Sequence, residues 1–397
     1  MLRTISGTVL ALFCWIVGCG AASALDVRAA VLRIDYPAQR PISRLDEMPA
    51  DLAEAGALLA EQDNATTGSF LGHSYETLFT ATQPEGADAA LDAFLDQGIR
   101  FVVILARMDD LLRLTDRAQE AGALVFNARA GDAALRSAEC RPNLLHTATS
   151  YAQRADAIAQ FAIWKKWARW VLVSGSHPED VALADAYRRA ATKFGAKIVE
   201  ERVFEDTGGA RRSDSGHVLV QRQLPVFMQD LPEHDVVIAA DETDYFAAYL
   251  PYHLWTPRPV MGSAGLRPVQ MHGGHEAYGA NQFQNRFEKI TPRHIRDEDY
   301  NVWIALRSIS EAVTRAGTVE PAEVEAYLLS DKFELAGFKG KQVNFRDWNA
   351  QMRQEVILTD GRITVSVSPQ EGFLHQFAVQ DTLGLDRPES DCRAFNG

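Results

Sequence analysis

Ser150, Tyr151, Ser174 and Ser176 are the residues whose types and positions first suggest chemistry. They bracket the stretch LLHTATSYAQRADAIAQFAIWKKWARWVLVSG, Leu144 to Gly175, which reads as strand, helix, strand. In an open parallel sheet a ligand lies beyond the carboxyl ends of the strands, so hydroxyls there are placed to hydrogen-bond a bound molecule. Taken singly, each reads first as an ordinary turn residue, and matching groups from other strand ends decide whether it serves a ligand. Tyr36, Arg40 and Arg44 share a long loop that suits a lid or a solvated connection, and Gly208-Gly209 with Arg211 and Arg212 makes a flexible basic loop. His177, before Pro178, reads as a helix-capping turn residue. Asp241 and Glu242 set two carboxylates side by side at the end of an apolar run. Catalytic signatures are missing from the sequence: there is no G-x-S-x-G elbow, phosphate-cradling loop or H-E-x-x-H helix. The nearest metal-like cluster is MHGGHE, with His272, His275 and Glu276; its glycines argue against a helical ligand face, and it reads as a solvated loop. No catalytic residue and no catalytic cofactor is expected.

The elements that must position these groups alternate regularly. Ala152, Ala155, Ile158, Ala159 and Ala162 recur at three- and four-residue steps, which predicts a helix between two strands. Upstream, DVRAAVLRID, a strand near Tyr75 to Phe79, FVVILA (Phe101 to Ala106) and ALVFNA (Ala123 to Ala128) are separated by helices predicted over 50–63, 87–97 and 109–121. Downstream come a helix over 179–195, a strand over 197–204, a helix over 218–227, the buried strand HDVVIAADE, a short helix with Tyr245 and Tyr249, and a brief strand over 259–262. Such alternation implies right-handed crossovers and doubly wound parallel sheets. From about Ala264 long polar connections are expected, then helices over 300–316 and 321–329. VNFRDW, QEVILT and ITVSVS follow as half-exposed antiparallel strands. Trp164, Trp167 and Trp170 are expected to cover a lobe surface.

With 397 residues, 47% hydrophobic and 23% charged, the chain is long enough for two ordinary domains. Residues 1–24 carry Arg3, an apolar run and an Ala22-Ser23-Ala24 ending, the pattern of a secretory signal cleaved before Leu25. Ile16-Val17-Gly18-Cys19 offers a second pattern, a lipoprotein box with a lipid anchor at Cys19. Removal of that segment takes Arg3 and no acid, leaving 39 of the 40 basic residues against 53 acidic ones. So acidic a surface repels nucleic acid and anionic lipid. Of the four cysteines only Cys140 and Cys392 would remain, and in an oxidising compartment a disulfide between them is expected.

AGALLAEQDNATTGSFLGHSYE, with the order and spacing of the elements, resembles the type I periplasmic substrate-binding proteins of ABC transporters, the group of leucine/isoleucine/valine-binding proteins. VFEDTGGARRSDSGHV, ELAGFKGK, VSVSPQEGFLHQ and DTLGLDRPESDC resemble the branch associated with pyrroloquinoline quinone-dependent alcohol oxidation. The resemblance implies an α/β fold of two doubly wound parallel-sheet lobes joined by a hinge. Lobe 1 would comprise 25–145 plus about 265–330, and lobe 2 would comprise 146–264, with part of 331–397 supplying hinge and tail. It implies a periplasmic monomer that closes over a small ligand and delivers it to an inner-membrane ABC permease, with a ligand-sensing subunit for a membrane receptor kinase as the alternative role. First-lobe contacts would come from the loops after FVVILA and ALVFNA, where amino-acid receptors hold the α-carboxylate with small hydroxylic residues. This chain has Arg107, Asn127, Ala128 and Arg129 there instead. Arginine forks hold carboxylates bidentately, so an anionic ligand, pyrroloquinoline quinone or a related carboxylate, is expected ahead of a plain branched-chain amino acid. Ser150, Tyr151 and Ser174 would face it from the second lobe, with Tyr151 or Tyr36 stacking on a ring. Asp241 and Glu242 occupy the position where those receptors keep an acid for the ammonium group, or would order an arginine of the opposite lobe.

Overall fold

The central strands are buried on both sides. The computed structural model describes residues 24–37, 41–207 and 214–395; the segment 1–23, Arg40, Gly208-Gly209, Arg211 and Arg212 lie outside them. The first sheet is built from β1 (Asp26–Ile34), β2 (Ser74–Thr82), β3 (Phe101–Leu105), β4 (Leu124–Asn127) and β5 (Leu144–His146), connected in turn by α1 (Glu54–Gly68), α2 (Ala87–Asp96) and α3 (Met108–Glu120). Its order is β2-β1-β3-β4-β5, and every pairing is parallel. Every residue of β3 is buried because its two faces serve two cores: Phe101, Val103 and Leu105 join one cluster, and Val102 and Ile104 the other. A polar residue at any of these points would sit in apolar surroundings, which is why FVVILA runs without alternation.

The second sheet repeats the plan. After α4 (Tyr151–Trp164) come β6 (Arg169–Gly175), α5 (Pro178–Phe194), β7 (Lys197–Phe204), α6 (Asp214–Phe227), β8 (Val236–Ala240) and β9 (Val260–Gly262). The order is β7-β6-β8-β9, again all parallel. Trp170 and Leu172 face one core and Val171 and Val173 the other. Trp170 is therefore a core residue with no exposure, where surface cover was expected; its place on a strand buried on both sides decides this.

The later chain returns to complete both halves. It forms β10 (Arg267–Val269), α7 (Ala280–Ile290), α8 (Asp297–Ala316), α9 (Pro321–Leu328), β11 (Leu335–Ala336), β12 (Gln342–Phe345), β13 (Met352–Arg353), β14 (Val356–Thr359) and β15 (Thr364–Ser368). Two small antiparallel sheets result, β10-β14-β15 and β11-β12-β13. Three expectations need correction here. A helix, α7, occupies part of the expected polar connection, because Phe283 and Phe287, one turn apart, are fully buried. MHGGHE is no solvated loop: Met271 and His275 are buried, and the His275 ring faces Thr364. QEVILT is not half exposed either. All of Val356–Thr359 is buried, with Ile357 in the first-lobe core and Val356 and Leu358 in the second-lobe core, so this strand is covered from both halves.

The crossovers between the halves meet at one point. The carbonyl of Thr147, between β5 and α4, accepts from Gln354 at 2.8 Å and from Gln270 at 3.5 Å, and Lys339 donates to the side-chain oxygens of Gln354 (2.6 Å) and Gln270 (3.2 Å). Burial holds the Lys339 amine well below the usual lysine range. Beside this node the buried Arg136 donates to the Ala148 carbonyl and to Gln351. The C-terminal segment is pinned to both halves. Asp156, fully buried, holds Arg189, Lys193 and the Gly384 amide, whereas Cys392 is bonded to Cys140 with the Cα atoms 5.6 Å apart. Among the described residues no helix is long and apolar enough to cross a membrane.

Candidate ligand-binding cleft

Three first-lobe strand ends converge on one aromatic ring. β1 runs on into Tyr36, β3 into Arg107 and β4 into Arg129. The Tyr36 hydroxyl donates to Asp110 at 2.6 Å and accepts from the Arg107 amide at 3.0 Å. Burial, reinforced by that Asp110 contact, raises its pKa, so the phenol keeps its proton. The guanidinium of Arg107 lies 4.5 Å from the ring centroid and that of Arg129 5.6 Å. Two arginines from separate loops thus share one tyrosine, each gaining a cation–π contact.

Their remaining contacts differ. Arg107 reaches across to the second lobe and pairs with Glu179, in the first turn of α5, at 3.1 Å. Arg129 has only a long 3.4 Å contact to the Ile34 carbonyl, and among the described residues no carboxylate lies within ion-pair distance of it. Asp132, three residues on, is half-buried. Burial raises its pKa, Arg136 opposes this, and the second-lobe carboxylates Glu179 and Glu242 add to the rise. The opposing wall carries Tyr151, whose amide donates to the Gly131 carbonyl at 2.7 Å and whose ring lies against Gly131. A Cβ at that glycine would fall 2.8 Å from the ring, so only glycine permits this approach. Arg154, one turn along α4, sits 5.6 Å from the Tyr151 ring centroid and forks onto Glu242 through two contacts of 2.9 Å. Tyr151 is also held protonated, by burial first and then by Glu242 and Asp132.

The structure therefore brings Tyr36, Arg107, Arg129 and Tyr151 together and gives several other candidates structural duties. Asn127 is buried; its side-chain oxygen accepts from the Arg129 and Ala130 amides, shaping the loop after β4. Ala128 is fully buried and its carbonyl accepts from Asn301. Ser150 caps α4 through the Gln153 amide, and Ser176 accepts from the Asp206 amide. Ser174 is buried within β6. The His177 ring contacts Asp206 at 2.9 Å and its amide donates to Asp180, which fits the capping reading. Asp241 accepts from the amides of Tyr245, Phe246 and Ala247, which gives it a structural duty in the turn after β8. Glu242 orders an arginine, Arg154, of its own lobe rather than of the opposite one. Arg44 lies exposed in a short turn, Arg44–Asp46.

Asp132, Arg154 and Glu179 were not legible as cleft groups, although each had a signal: Asp132 follows Gly131 after a buried strand, Arg154 is three residues past Tyr151, and Glu179 opens a helix directly after a strand end. Together the two walls offer balanced charge and two protonated phenols. Among the described residues no group of three or more His, Cys, Asp or Glu is placed to hold a metal ion.

Residues 52–213 match a family model described as periplasmic binding protein. No curated protein sequence matches the chain. Among solved structures, a branched-chain amino acid ABC transporter periplasmic ligand-binding protein from Burkholderia xenovorans is 15% identical, with 93% of this chain and 100% of that chain covered and a TM-score of 0.70. A periplasmic binding protein from Burkholderia mallei is 13% identical, with 94% and 99% covered and a TM-score of 0.67. An ABC transporter substrate-binding protein from Desulfitobacterium hafniense, solved in complex with Leu, is 17% identical, with 85% and 98% covered and a TM-score of 0.63. The chain thus has the two-lobed α/β fold, with parallel sheets in both lobes, of the type I periplasmic binding protein structures.

Proposed function

We propose that this protein is a periplasmic solute-binding protein that closes over a small carboxylate-bearing solute and presents it to an ABC permease. The supporting observation is the unequal commitment of the two cleft arginines. Arg107 is neutralised by Glu179, whereas Arg129, against the same tyrosine ring, has no carboxylate partner among the described residues. A guanidinium left open at the mouth of a closing crevice is suited to a ligand carboxylate. Asp132, half-buried beside that arginine, is a carboxylate with which a ligand ammonium group would pair. That balance favours a zwitterion, an α-amino acid. The Desulfitobacterium hafniense relative is described in complex with Leu, which fits the same class. The expected export segment over 1–24 and the family match over 52–213 agree with a periplasmic receptor.

A second reading, pyrroloquinoline quinone or a related multiply anionic ligand, is favoured by the placement of two guanidiniums on one ring, within reach of two carboxylates of one molecule. Calorimetric titration of ligand-free protein with leucine, isoleucine and the quinone separates the two. Saturable one-to-one heat with an amino acid at about micromolar affinity supports the zwitterion reading. Heat with the quinone alone transfers the proposal to the second, and silence with all carboxylates removes both.

A further inference from the structure

The first lobe has a cavity away from the cleft. It measures about 570 Å³ and opens between α1, α7 and α8 beside β11. Asp63 and Thr67, on its wall, lie nine and thirteen residues beyond Glu54, where α1 begins at the cleft end. At 1.5 Å per residue that is roughly 14 to 20 Å down the helix. Its floor is apolar and aromatic: Trp303 is almost fully buried and Phe338 lies beside it at 5.6 Å between ring centroids. The walls carry Arg286, Lys289 and Arg307 against a single acid, Asp63, in a chain whose net charge is −13.

The state of these charges points to a ligand. Asp63 is divided between Arg286 and the indole N–H of Trp303. Arg307 hydrogen-bonds only the neutral side-chain oxygen of Asn64, and among the described residues no carboxylate lies within ion-pair distance of it. Burial lowers its pKa, although Asp63 and Glu311 pull the other way. An under-neutralised guanidinium at the edge of an apolar floor is costly, and a bound anion relieves that cost. The volume exceeds what an inorganic anion needs and matches the small end of organic ligand sites.

We infer that this cavity is a second, cleft-independent binding site for a small organic anion with a planar ring, its carboxylate or phosphate on Arg307 and its ring against Ala336 and the edge of Phe338, with Trp303 packed beneath. Binding here does not depend on the cleft reading, so the two succeed or fail separately. The test is calorimetric titration of the full chain with phenyl phosphate and with benzoate, using inorganic phosphate as a ring-free control. Wild-type protein and the Arg129→Ala variant should bind a ring-bearing anion alike. Arg307→Gln should bind at least about tenfold more weakly. Thr67→Glu, which adds a carboxylate on the exposed rim without touching the core, should weaken binding similarly and guards against a folding defect in the first variant. The inference is overturned by absence of binding to wild type at about 10 mM, by undiminished, wild-type binding to Arg307→Gln and Thr67→Glu, or by loss of binding in Arg129→Ala. Inorganic phosphate binding as tightly as phenyl phosphate would remove the ring from the proposal.

Discussion

Arg129→Ala and Arg107→Ala should have unequal consequences, and the structure sets the size of the difference. Arg129 gives up a 3.4 Å contact to a backbone carbonyl and at most part of its 5.6 Å contact with the Tyr36 ring when it turns toward a ligand, so most of a new charge-assisted hydrogen bond appears as affinity. Such bonds contribute about 1.5 to 3 kcal/mol, which corresponds to roughly 10- to 150-fold in Kd. Arg107 must first release Glu179 or share it, and its side chain is 52% exposed, so the pair and its replacement both lie in the range of about 0 to 1 kcal/mol. Arg107→Ala should therefore cost less than about fivefold. Isothermal calorimetry on both variants with the best amino-acid ligand gives the comparison, with thermal melts of each to verify that the fold is intact. Among the described residues Arg129 makes no ion pair, so its removal should leave the melting temperature nearly unchanged. Equal losses in the two variants, or wild-type affinity in Arg129→Ala, would refute the assignment of Arg129 as the open carboxylate anchor.

Three further outcomes follow from particular contacts. Gly131→Ala would put a methyl group 2.8 Å from the Tyr151 ring and should destabilise the fold by about 1 to 3 kcal/mol while weakening ligand binding; unchanged melting and affinity would show that the ring is free to move aside. Paired Cys140→Ser and Cys392→Ser substitutions would release a link spanning 252 residues, and chain entropy puts the loss at roughly 5 kcal/mol, or roughly 10 °C in Tm. A Tm within a degree or two of wild type would contradict it. Glu325 has its pKa pushed up to about 7 by burial. Because the folded state holds this proton more tightly than the unfolded chain, its contribution to stability declines as pH rises from about 4.5 to 7 and is level above. After allowance for its partial exposure, Glu325→Gln should be about 1 to 2 kcal/mol more stable than wild type at pH 8 and equal to it at pH 4; equality at both pH values in denaturant unfolding would rule this out.

The parallel lobes were legible because strands such as FVVILA carry no polar residue, and such a run has few places to go except between two helical layers. The later chain was less so. The α7 helix has apolar residues only at Ala280, Phe283, Phe287 and Ile290, a narrow stripe hidden among polar residues, and QEVILT is buried because two separate cores flank it, a fact of assembly rather than of local pattern. Within the cleft, Arg107 and Arg129 could be named from strand ends, and Tyr36 from its loop. Their division into a paired and an open guanidinium could not, since it depends on Glu179 arriving from the other lobe. Asp241 carries a duty that the strand-end pattern does not announce: its carboxylate accepts from three backbone amides of the following turn.

Closure of the two lobes over a solute is tested most directly by a distance. Spin labels introduced at Gln119→Cys, exposed on α3, and Thr192→Cys, exposed on α5, report the separation of the lobes by pulsed electron resonance. The account predicts a broad, longer distribution in ligand-free protein that narrows and shortens when a saturating carboxylate ligand is added. A distribution that is narrow without ligand and unmoved by one that calorimetry shows to be bound would contradict it.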